Sequence, residues 1–213
     1  MKTAIILGAT GMVGAALLNQ LLANDEYAAV LIFVRRPTQL NHPKLTEYVV
    51  DFDQPSQWSK LVQGDVLFSC LGTTLAVAGS KTNQYKVDFT YQYEMAKIAS
   101  DNGVKQLVLV SSAGAKAQSR NFYLSMKGKL DEAVRMLNFQ FLSILRPGQL
   151  YGNRQQKRKM EQIAIQLMFF INRLGLLRNY RPIHANEVAQ AMQKVAKSSK
   201  SSVYTLSELF QLL

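Results

Sequence analysis

Cysteine and histidine are both scarce in this sequence, and their scarcity excludes several kinds of site. The 213 residues include one cysteine, Cys70, and two histidines. A single cysteine cannot form an intramolecular disulfide or a cysteine-rich metal centre. Since there is also no acidic cluster of suitable spacing, we expect no metal site. The low cysteine content favours a reducing compartment, and we therefore expect a cytoplasmic location.

Long apolar runs are missing as well. The first apolar segment, Ala4–Leu7, is shorter than the apolar stretch of a signal peptide and leads directly into glycines. The most apolar region, Ile163–Leu177, is interrupted by a glutamine, an asparagine and an arginine, and it is too short and too polar to span a membrane. We therefore expect no signal peptide and no stable membrane insertion.

Acidic residues are in the minority. There are 14 of them against 25 lysines and arginines, which gives a formal net charge of +11. Such a charge favours anionic partners, among them nucleotides, phosphorylated metabolites, nucleic acids and acidic membranes. The basic residues are spread along the chain, with one local cluster at Arg154, Arg158 and Lys159. Because a long basic tract is missing, we expect no nucleic-acid partner.

Short apolar segments alternate with segments whose apolar residues recur at helical spacing. The predicted strands are Ala4–Leu7, Ala29–Val34, Glu47–Val50, Val66–Ser69, Gln106–Val110 and Phe139–Leu145. The predicted helices are Val13–Ala23, Tyr91–Ile98, Phe122–Leu137 and Val188–Val195. Strands that are apolar throughout are typical of a sheet covered by helices on both faces. The alternation predicts a doubly wound parallel sheet, an α/β fold of the Rossmann type.

The alternation weakens beyond Gly152. We expect one domain over residues 1–213, in which roughly residues 152–185 form a small substrate-side region. Segment 154–177 begins with basic residues and continues with an apolar helical face, which is compatible with a helix on a membrane surface. We favour a substrate-side helix that packs this face on the core. His184 precedes a helix and is predicted to be a cap or turn residue, while the tail, Val203–Leu213, gives no interpretable pattern.

A glycine-rich turn follows the first predicted strand. Glycines stand at the first, fourth and seventh places of Gly8-Ala9-Thr10-Gly11-Met12-Val13-Gly14, and a helix follows at once. At such a turn the backbone can approach a pyrophosphate closely, and the helix N-terminus presents free N–H groups. A tight turn that only packs helix against strand is the alternative. The predicted nucleotide contacts are Gly8, Thr10, Gly11, Met12, Val13 and Gly14.

The second predicted strand is followed by Arg35 and Arg36, with no carboxylate nearby. An acidic residue at this place binds the ribose 2′-hydroxyl of NAD, whereas guanidinium groups can bind the 2′-phosphate of NADP. The pair therefore predicts NADP(H) as the cofactor. Two solvated surface arginines are the alternative.

Two further strand ends offer cofactor contacts. Asp51 and Phe52 follow the third strand and could touch an adenine ring, although an aspartate there also makes ordinary turns. Ligands of parallel sheets lie at the carboxyl ends of the strands, which draws attention to the loop after the fourth strand. The predicted contacts in that loop are Cys70, Leu71, Gly72, Thr73 and Thr74.

Three residues near the fifth strand predict acid–base chemistry. Ser112 closes this strand, and Tyr123 and Lys127 lie four residues apart in a predicted helix. Residues at this spacing share a helix face, so the phenol and the ammonium can point into one crevice. A neighbouring ammonium favours the phenolate, and a serine hydroxyl can stabilise charge on a carbonyl oxygen. We predict Ser112, Tyr123 and Lys127 as the catalytic set.

Together these motifs resemble the short-chain dehydrogenase/reductase superfamily, in particular its atypical branch related to the HIV Tat-interacting protein. The matching stretches are Cys70–Thr74 with Ala78-Gly79, Ser111–Ala115, Asn121–Leu124 with Lys127-Gly128, and Leu145–Gly148. The resemblance implies an NADP(H)-binding Rossmann domain in which Ser112, Tyr123 and Lys127 are catalytic. It also implies that Lys127 holds the nicotinamide ribose and that Pro147 lies near the nicotinamide.

The resemblance carries one departure. Many members have an asparagine on the fourth helix that completes a proton relay, and this chain has Val87-Asp88 there. We expect an NADP(H)-dependent oxidoreductase that moves a hydride to or from a carbonyl or hydroxyl carbon of an unknown small molecule. Because some members bind cofactor while serving regulation, an NADP(H)-binding interaction module without turnover is the alternative. Whether the chain forms a homodimer is left open.

Overall fold

The computed structural model describes residues 1–152 and 182–213. The strands are β1 (Lys2–Leu7), β2 (Tyr27–Val34), β3 (Leu45–Val49), β4 (Val66–Ser69), β5 (Gln106–Val110), β6 (Phe141–Arg146), β7 (Leu150–Tyr151), β8 (Ile183–His184) and β9 (Ser202–Thr205). Seven of them form one parallel sheet in the order β3-β2-β1-β4-β5-β6-β9. β7 and β8 form a separate parallel pair.

Helices cover the sheet and connect its strands. They are α1 (Met12–Leu22), α2 (Leu75–Ala78), α3 (Lys81–Tyr85), α4 (Tyr91–Asp101), α5 (Phe122–Arg135), α6 (Ala185–Ala196) and α7 (Ser207–Gln211). A π turn over Lys86–Thr90 joins α3 to α4, so these three elements form one continuous helical segment. Two 3₁₀ turns, Pro55–Gln57 and Ser59–Leu61, follow β3.

Successive residues of a strand enter two separate cores. In β1, Ala4 and Ile6 belong to a core with α1 and α6, whereas Ile5 and Leu7 belong to a core with α4 and α5. All four side chains are fully buried. Because both faces are covered, successive buried positions of the strand are all apolar, from Ala4 to Leu7. The doubly wound α/β fold predicted from the sequence is confirmed.

The carboxyl-terminal tail completes the sheet. β9 pairs in parallel with β6, and α7 follows it. The apolar pattern does not predict this strand because it lies at the edge of the sheet, where all four of its residues are only half-buried. The alternation of helix and strand therefore resumes after the predicted substrate-side region, with α6 and β9.

Most of the predicted substrate-side region, roughly residues 152–185, lies outside the described residues, and so does the basic and amphipathic segment 154–177. Its two ends are described. Leu150 pairs with Ile183 and Tyr151 pairs with His184, so the chain leaves and returns at one place. In the described part of the chain, none of the helices combines the length and the apolar character needed to cross a membrane.

His184 forms the N-cap of α6, as predicted. Its Nδ1 accepts the backbone N–H of Asn186 at 3.2 Å. In return, the backbone N–H of His184 donates to the Glu187 carboxylate at 2.8 Å. This reciprocal arrangement satisfies two N–H groups at the start of the helix.

The loop between β5 and α5 packs tightly on the helix that it precedes. The N–H of Lys116 donates to the carbonyl of Leu124 at 3.1 Å, and the Ser125 hydroxyl donates to the carbonyl of Ala117 at 2.7 Å. Gly128 lies beneath this loop, and a Cβ at that position would be 2.2 Å from the backbone of Lys116 and Ala117. The lack of a side chain at Gly128 therefore sets the distance between loop and helix.

We predict that Gly128→Ala destabilises the protein although alanine is the better helix former. Helix propensity alone would stabilise the variant by about 1 kcal/mol. The overlap with loop backbone outweighs this gain because backbone cannot move aside as a flexible side chain can, and we expect a net loss of about 2 kcal/mol or more. Urea unfolding followed by circular dichroism measures the change. Lys129→Ala, at the neighbouring exposed position, is the control and should change stability by less than about 0.5 kcal/mol; equal stability of Gly128→Ala and wild type would contradict the prediction.

Candidate functional site

The carboxyl ends of β1, β2 and β4 border a cleft of about 470 Å³, called the first cleft below. Its walls are the glycine turn after β1, Arg35 after β2, the loop after β4, and the segment from α2 to α4. The lining residues are Gly8, Thr10, Gly11, Arg35, Cys70, Leu71, Gly72, Thr73, Val77, Ala78, Asn83, Lys86, Val87 and Tyr91. Most of the contacts predicted for the glycine turn and for the β4 loop therefore lie in one cleft.

The glycine turn brings three backbone segments into contact. Gly8 has a φ of +88°, in the left-handed region that favours glycine. A Cβ on Gly8 would lie 2.6 Å from the backbone nitrogen of Leu71, and a Cβ on Gly14 would lie 2.1 Å from the Gly8 carbonyl oxygen. No side chain caps α1, whose N-cap is Gly11, so the first-turn N–H groups of Met12 and Val13 are left for another acceptor.

Cys70 lies in the wall of the first cleft and is half-buried. Its sulfur is 3.8 Å from the Met192 sulfur. Burial raises the pKa of the Cys70 thiol to about 12, and the nearby Lys127 ammonium opposes this rise. The thiol therefore stays protonated at neutral pH and lines the cleft without acting as a nucleophile.

A polar cluster at the rim of the first cleft was not predicted from the sequence. Lys86 donates to the Asp53 carboxylate at 2.6 Å, and the Tyr91 hydroxyl donates to the same carboxylate at 2.8 Å. The Lys86 ammonium also lies 5.6 Å from the centre of the Tyr91 ring. The five-residue spacing of Lys86 and Tyr91 is not that of an α-helix face, and only the π turn brings the two together.

A second cleft, of about 650 Å³, lies between α1 and the chain after β2. Its polar lining includes Thr10, Asn19, Arg35, Arg36 and Thr38. Arg35 and Thr10 line both clefts, whereas Arg36 lines only the second. Within the described residues neither arginine has an ion pair, and both are exposed. Arg35 therefore lies where the two clefts meet and Arg36 lies in the second cleft, and neither guanidinium is paired with a carboxylate of the described residues.

Three of the predicted cofactor contacts have local structural roles. The Asp51 carboxylate accepts the Asp53 N–H and the Gln54 side-chain amide, both at 2.9 Å, as in an ordinary turn. Phe52 is buried behind Tyr91, with 5.4 Å between ring centres. The Thr74 hydroxyl caps α2 by accepting the Val77 N–H at 3.4 Å. None of the three belongs to the lining of the two clefts.

The predicted catalytic residues lie beyond the first cleft, around the start of α5. Ser112 follows β5 and Tyr123 lies in the first turn of α5, both half-buried, while Lys127 lies one turn further and is 3% exposed. The N–H of Ala113 donates to the carbonyl of Pro147 at 2.9 Å. The structure thus brings the residue after Ser112 next to Pro147, and the β5–α5 loop packs on the first turns of α5, which carry Tyr123.

Lys127 forms a buried ion pair with Asp88 of the π turn. The Lys127 ammonium is 3.5 Å from Asp88 Oδ1, and the two side chains are 3% and 1% exposed. Asp88 Oδ2 accepts the backbone N–H of Thr73 at 2.8 Å. Burial raises the pKa of Asp88, while the Lys127 charge and the Thr73 N–H oppose the rise. One carboxylate therefore connects the wall of the first cleft to the predicted catalytic lysine.

A second buried pair fixes the other side of α5. The Asp131 carboxylate, four residues after Lys127, accepts bonds from Arg146 Nε at 2.8 Å and from Arg146 Nη2 at 2.7 Å. Burial raises the pKa of Asp131 in spite of this partner. Arg146 directly precedes Pro147, so this pair holds the Pro147 turn against α5. Asp131 belongs to α5 and Arg146 to β6, so no helical spacing in the sequence indicates this pair.

The residues of the first cleft fit a dinucleotide. Backbone packed without Cβ atoms at Gly8 and Gly14 gives close access to a pyrophosphate, and uncapped N–H groups at the start of α1 bind anions. The exposed Arg35 guanidinium in the wall of this cleft can bind a phosphate group. In the described residues there is no group of three or more side chains suited to bind a metal ion.

Comparison with known proteins agrees with this geometry. The model of a family described as NAD(P)H-binding matches residues 8–198. "Protein fmp52, mitochondrial" of Emericella nidulans is 38% identical over 182 residues, covering 82% of this chain and 77% of its own length. "Protein FMP52, mitochondrial" of Candida glabrata is 35% identical over 212 residues, covering 94% of this chain and 89% of its own.

Solved structures share the fold at low sequence identity. UDP-glucose 4-epimerase from Thermotoga maritima, determined with UDP-glucose, superposes with a TM-score of 0.71 at 14% identity, covering 98% of this chain and 80% of that chain. The enzyme WbmH from Bordetella bronchiseptica, determined with NAD+, gives 0.73 at 14% identity, covering 96% and 75%. Identities this low establish the fold and nothing finer.

The expected cytoplasmic location is contradicted by these comparisons. Four relatives that are 34–38% identical to this chain are named mitochondrial. The expectation was wrong because a low cysteine content indicates only a reducing environment and does not distinguish one such compartment from another.

We predict that the Cys70 thiol reacts slowly in the native protein. With its pKa raised to about 12, only about one molecule in ten thousand or fewer carries the thiolate near neutral pH. Alkylation by iodoacetamide, followed by mass spectrometry, should be at least about a hundredfold slower in buffer than in urea. Since the chain has no other cysteine, the label reports on Cys70 alone. Equal rates in buffer and in urea would contradict the assigned environment.

Proposed function

Because this chain belongs to the NAD(P)H-binding family, we propose that it is an NADP(H)-dependent oxidoreductase of the short-chain dehydrogenase/reductase type. Its substrate is a small molecule with a carbonyl or hydroxyl carbon. The observation that carries the proposal is that the Asp88 carboxylate connects Thr73, in the wall of the first cleft, to Lys127 of the predicted catalytic set.

Each residue of the proposed site has a separate task. The bound nicotinamide supplies or accepts the hydride. In the direction of reduction, the Tyr123 hydroxyl donates its proton to the carbonyl oxygen of the substrate, and the Ser112 hydroxyl donates a hydrogen bond to the same oxygen. The Lys127 ammonium favours the phenolate that remains on Tyr123 and holds the hydroxyls of the nicotinamide ribose. The glycine turn and the first-turn N–H groups of α1 bind the pyrophosphate.

We assign the chain to the atypical branch related to the HIV Tat-interacting protein, on the motifs that surround these residues. We also propose that the chain is a single domain in which roughly residues 152–185 form the substrate side. The pairing of β7 with β8 supports this, because β7 follows the turn that contains Pro147 and β8, at the other end of the region, pairs with β7.

The two arginines after β2 support NADP(H) over NAD(H) as the cofactor. We predict that Arg36→Ala weakens the binding of NADPH, and that the double variant Arg35→Ala with Arg36→Ala weakens it more strongly. The affinity for NADH should stay nearly unchanged in both variants. Each lost charge-assisted bond to the 2′-phosphate costs about 1.5–3 kcal/mol, or roughly tenfold to a hundredfold in affinity. Isothermal titration calorimetry with both cofactors measures the difference. Arg120→Ala, at an exposed position outside the lining of both clefts, is the control, and equal losses for NADPH and NADH would refute the phosphate contact.

The proposed catalysis requires the Tyr123 hydroxyl, whereas a regulatory module that only binds NADP(H) does not. We predict that Tyr123→Phe lowers the rate of NADPH-dependent carbonyl reduction by about a hundredfold or more, with NADPH affinity changed by less than about threefold. Absorbance of NADPH over a panel of aldehydes and ketones gives the rate. Tyr93→Phe, a half-buried tyrosine of α4, is the matched control. If Tyr123→Phe is as active as wild type, the role proposed for Tyr123 is wrong. If wild type binds NADPH saturably but reduces none of the carbonyl compounds, the regulatory module is favoured.

A further inference from the structure

We propose that Asp88 is a positioning residue that couples the nucleotide cleft to the lysine of the proposed catalytic set. Its carboxylate holds the Thr73 backbone of the cleft wall on one oxygen and the Lys127 ammonium on the other. Asp88 touches neither substrate nor cofactor in this proposal and acts through those two groups. The inference rests on the proposed function, since it assigns a partner to a residue of that site.

The geometry leaves Asp88 little freedom. Its two oxygens face different partners, at 2.8 Å from the Thr73 nitrogen and 3.5 Å from the Lys127 nitrogen. Gly72 lies against it as well, because a Cβ on Gly72 would be 3.3 Å from Oδ1. A shift of the Gly72-Thr73 wall when a nucleotide binds must therefore move the carboxylate, and with it the ammonium.

The π turn is the device that places this carboxylate. It widens the helical segment at Lys86–Thr90, and side-chain bonds hold it in place. The Gln92 side-chain nitrogen donates to the Asp88 carbonyl at 2.7 Å, and the Gln92 oxygen accepts the Ser69 hydroxyl at 2.8 Å. Ser69 is the last residue of β4, so the turn is fastened to the strand that leads into the cleft. Such π turns inside helices often occur at functional sites.

The chemistry requires a carboxylate and not its neutral analogue. An ionised aspartate accepts hydrogen bonds on both oxygens, whereas the asparagine amide has one acceptor oxygen. The side chain introduced by Asp88→Asn could therefore pair with Thr73 or with Lys127, but one donor would be left without a partner. Since Lys127 is 3% exposed, an ammonium left unpaired there is costly.

Protonation of Asp88 should have the same effect as its replacement. The charged groups around it are Lys127 and Asp131 of α5 and Arg146 of β6, and the Cys70 thiol lies on the β4 side. Burial raises the pKa of Asp88 above its ordinary value of 3.8. The carboxylate that pairs with Lys127 is therefore present above this raised pKa and is lost as pH falls through it, at a higher pH than for an exposed aspartate.

The test measures NADP+ affinity of the full chain by calorimetry between about pH 8 and pH 5, where this oxidised cofactor is stable. We expect Asp88→Asn to bind about tenfold more weakly than wild type at the alkaline end. The difference should close as pH falls, because wild type then loses its carboxylate too. Titration of the 2′-phosphate affects both proteins alike and cancels in the comparison. The matched control is Asp101→Asn, which removes the exposed carboxylate that pairs with Lys97 on α4 and should leave the wild-type profile.

Circular dichroism at each pH shows whether each protein is folded. If Asp88→Asn does not fold, a second pair of variants tests the same inference. Lys127→Met removes the ammonium, and Asp88→Asn in the Lys127→Met background leaves no buried charge unpaired. If Asp88 acts through Lys127, both proteins should bind NADP+ equally. Equal NADP+ affinity of wild type and Asp88→Asn at the alkaline end, or a further loss in the double variant, overturns the inference while leaving the proposed function standing. If wild type binds neither NADP+ nor NADPH, the proposed function fails, and the inference fails with it.

Discussion

Contact between bare backbone segments at Gly8 is the constraint on which the nucleotide cleft depends. The turn after β1 touches the first turn of α1 on one side and the loop after β4 on the other, at distances that leave no room for a Cβ on Gly8 or on Gly14. This contact fixes where the carboxyl ends of two neighbouring strands lie, and so where the floor of the cleft lies. It also exposes peptide N–H groups instead of side chains, which suits the cleft to an extended anion.

The proposed catalytic side of the molecule depends on buried charge. α5 carries Tyr123 and Lys127, and it is held in place by Asp88 from the π turn and by Asp131 paired with Arg146. Buried ion pairs contribute little net stability because desolvation offsets their attraction. Their value here is geometric, since an ammonium and a proline turn are fixed relative to a nucleotide wall that belongs to different elements of the fold.

The fold could be predicted from the sequence because a sheet covered on both faces needs strands whose buried positions are nearly all apolar, as in β1, β4 and β5. Edge strand β9 could not, since half-buried residues there carry no clear pattern. The glycine spacing after β1 predicted where the first cleft lies, because only glycine allows the close backbone contact between the β1 turn, α1 and the loop after β4. The contacts of Asp51 and Thr74 with neighbouring backbone, and the Lys86–Tyr91–Asp53 cluster, depend on turn geometry and on a π turn, which spacing along the chain does not reveal.

The short β7–β8 pair has a consequence for how this fold can diversify. Residues 150–151 and 183–184 are hydrogen-bonded neighbours outside the main sheet, so the two ends of the segment between them are fixed to each other. Insertions, deletions or exchanges between two ends fixed in this way leave the strand register of the main sheet untouched. Selection for a new ligand could therefore act on this segment while the cofactor-binding framework stays constant.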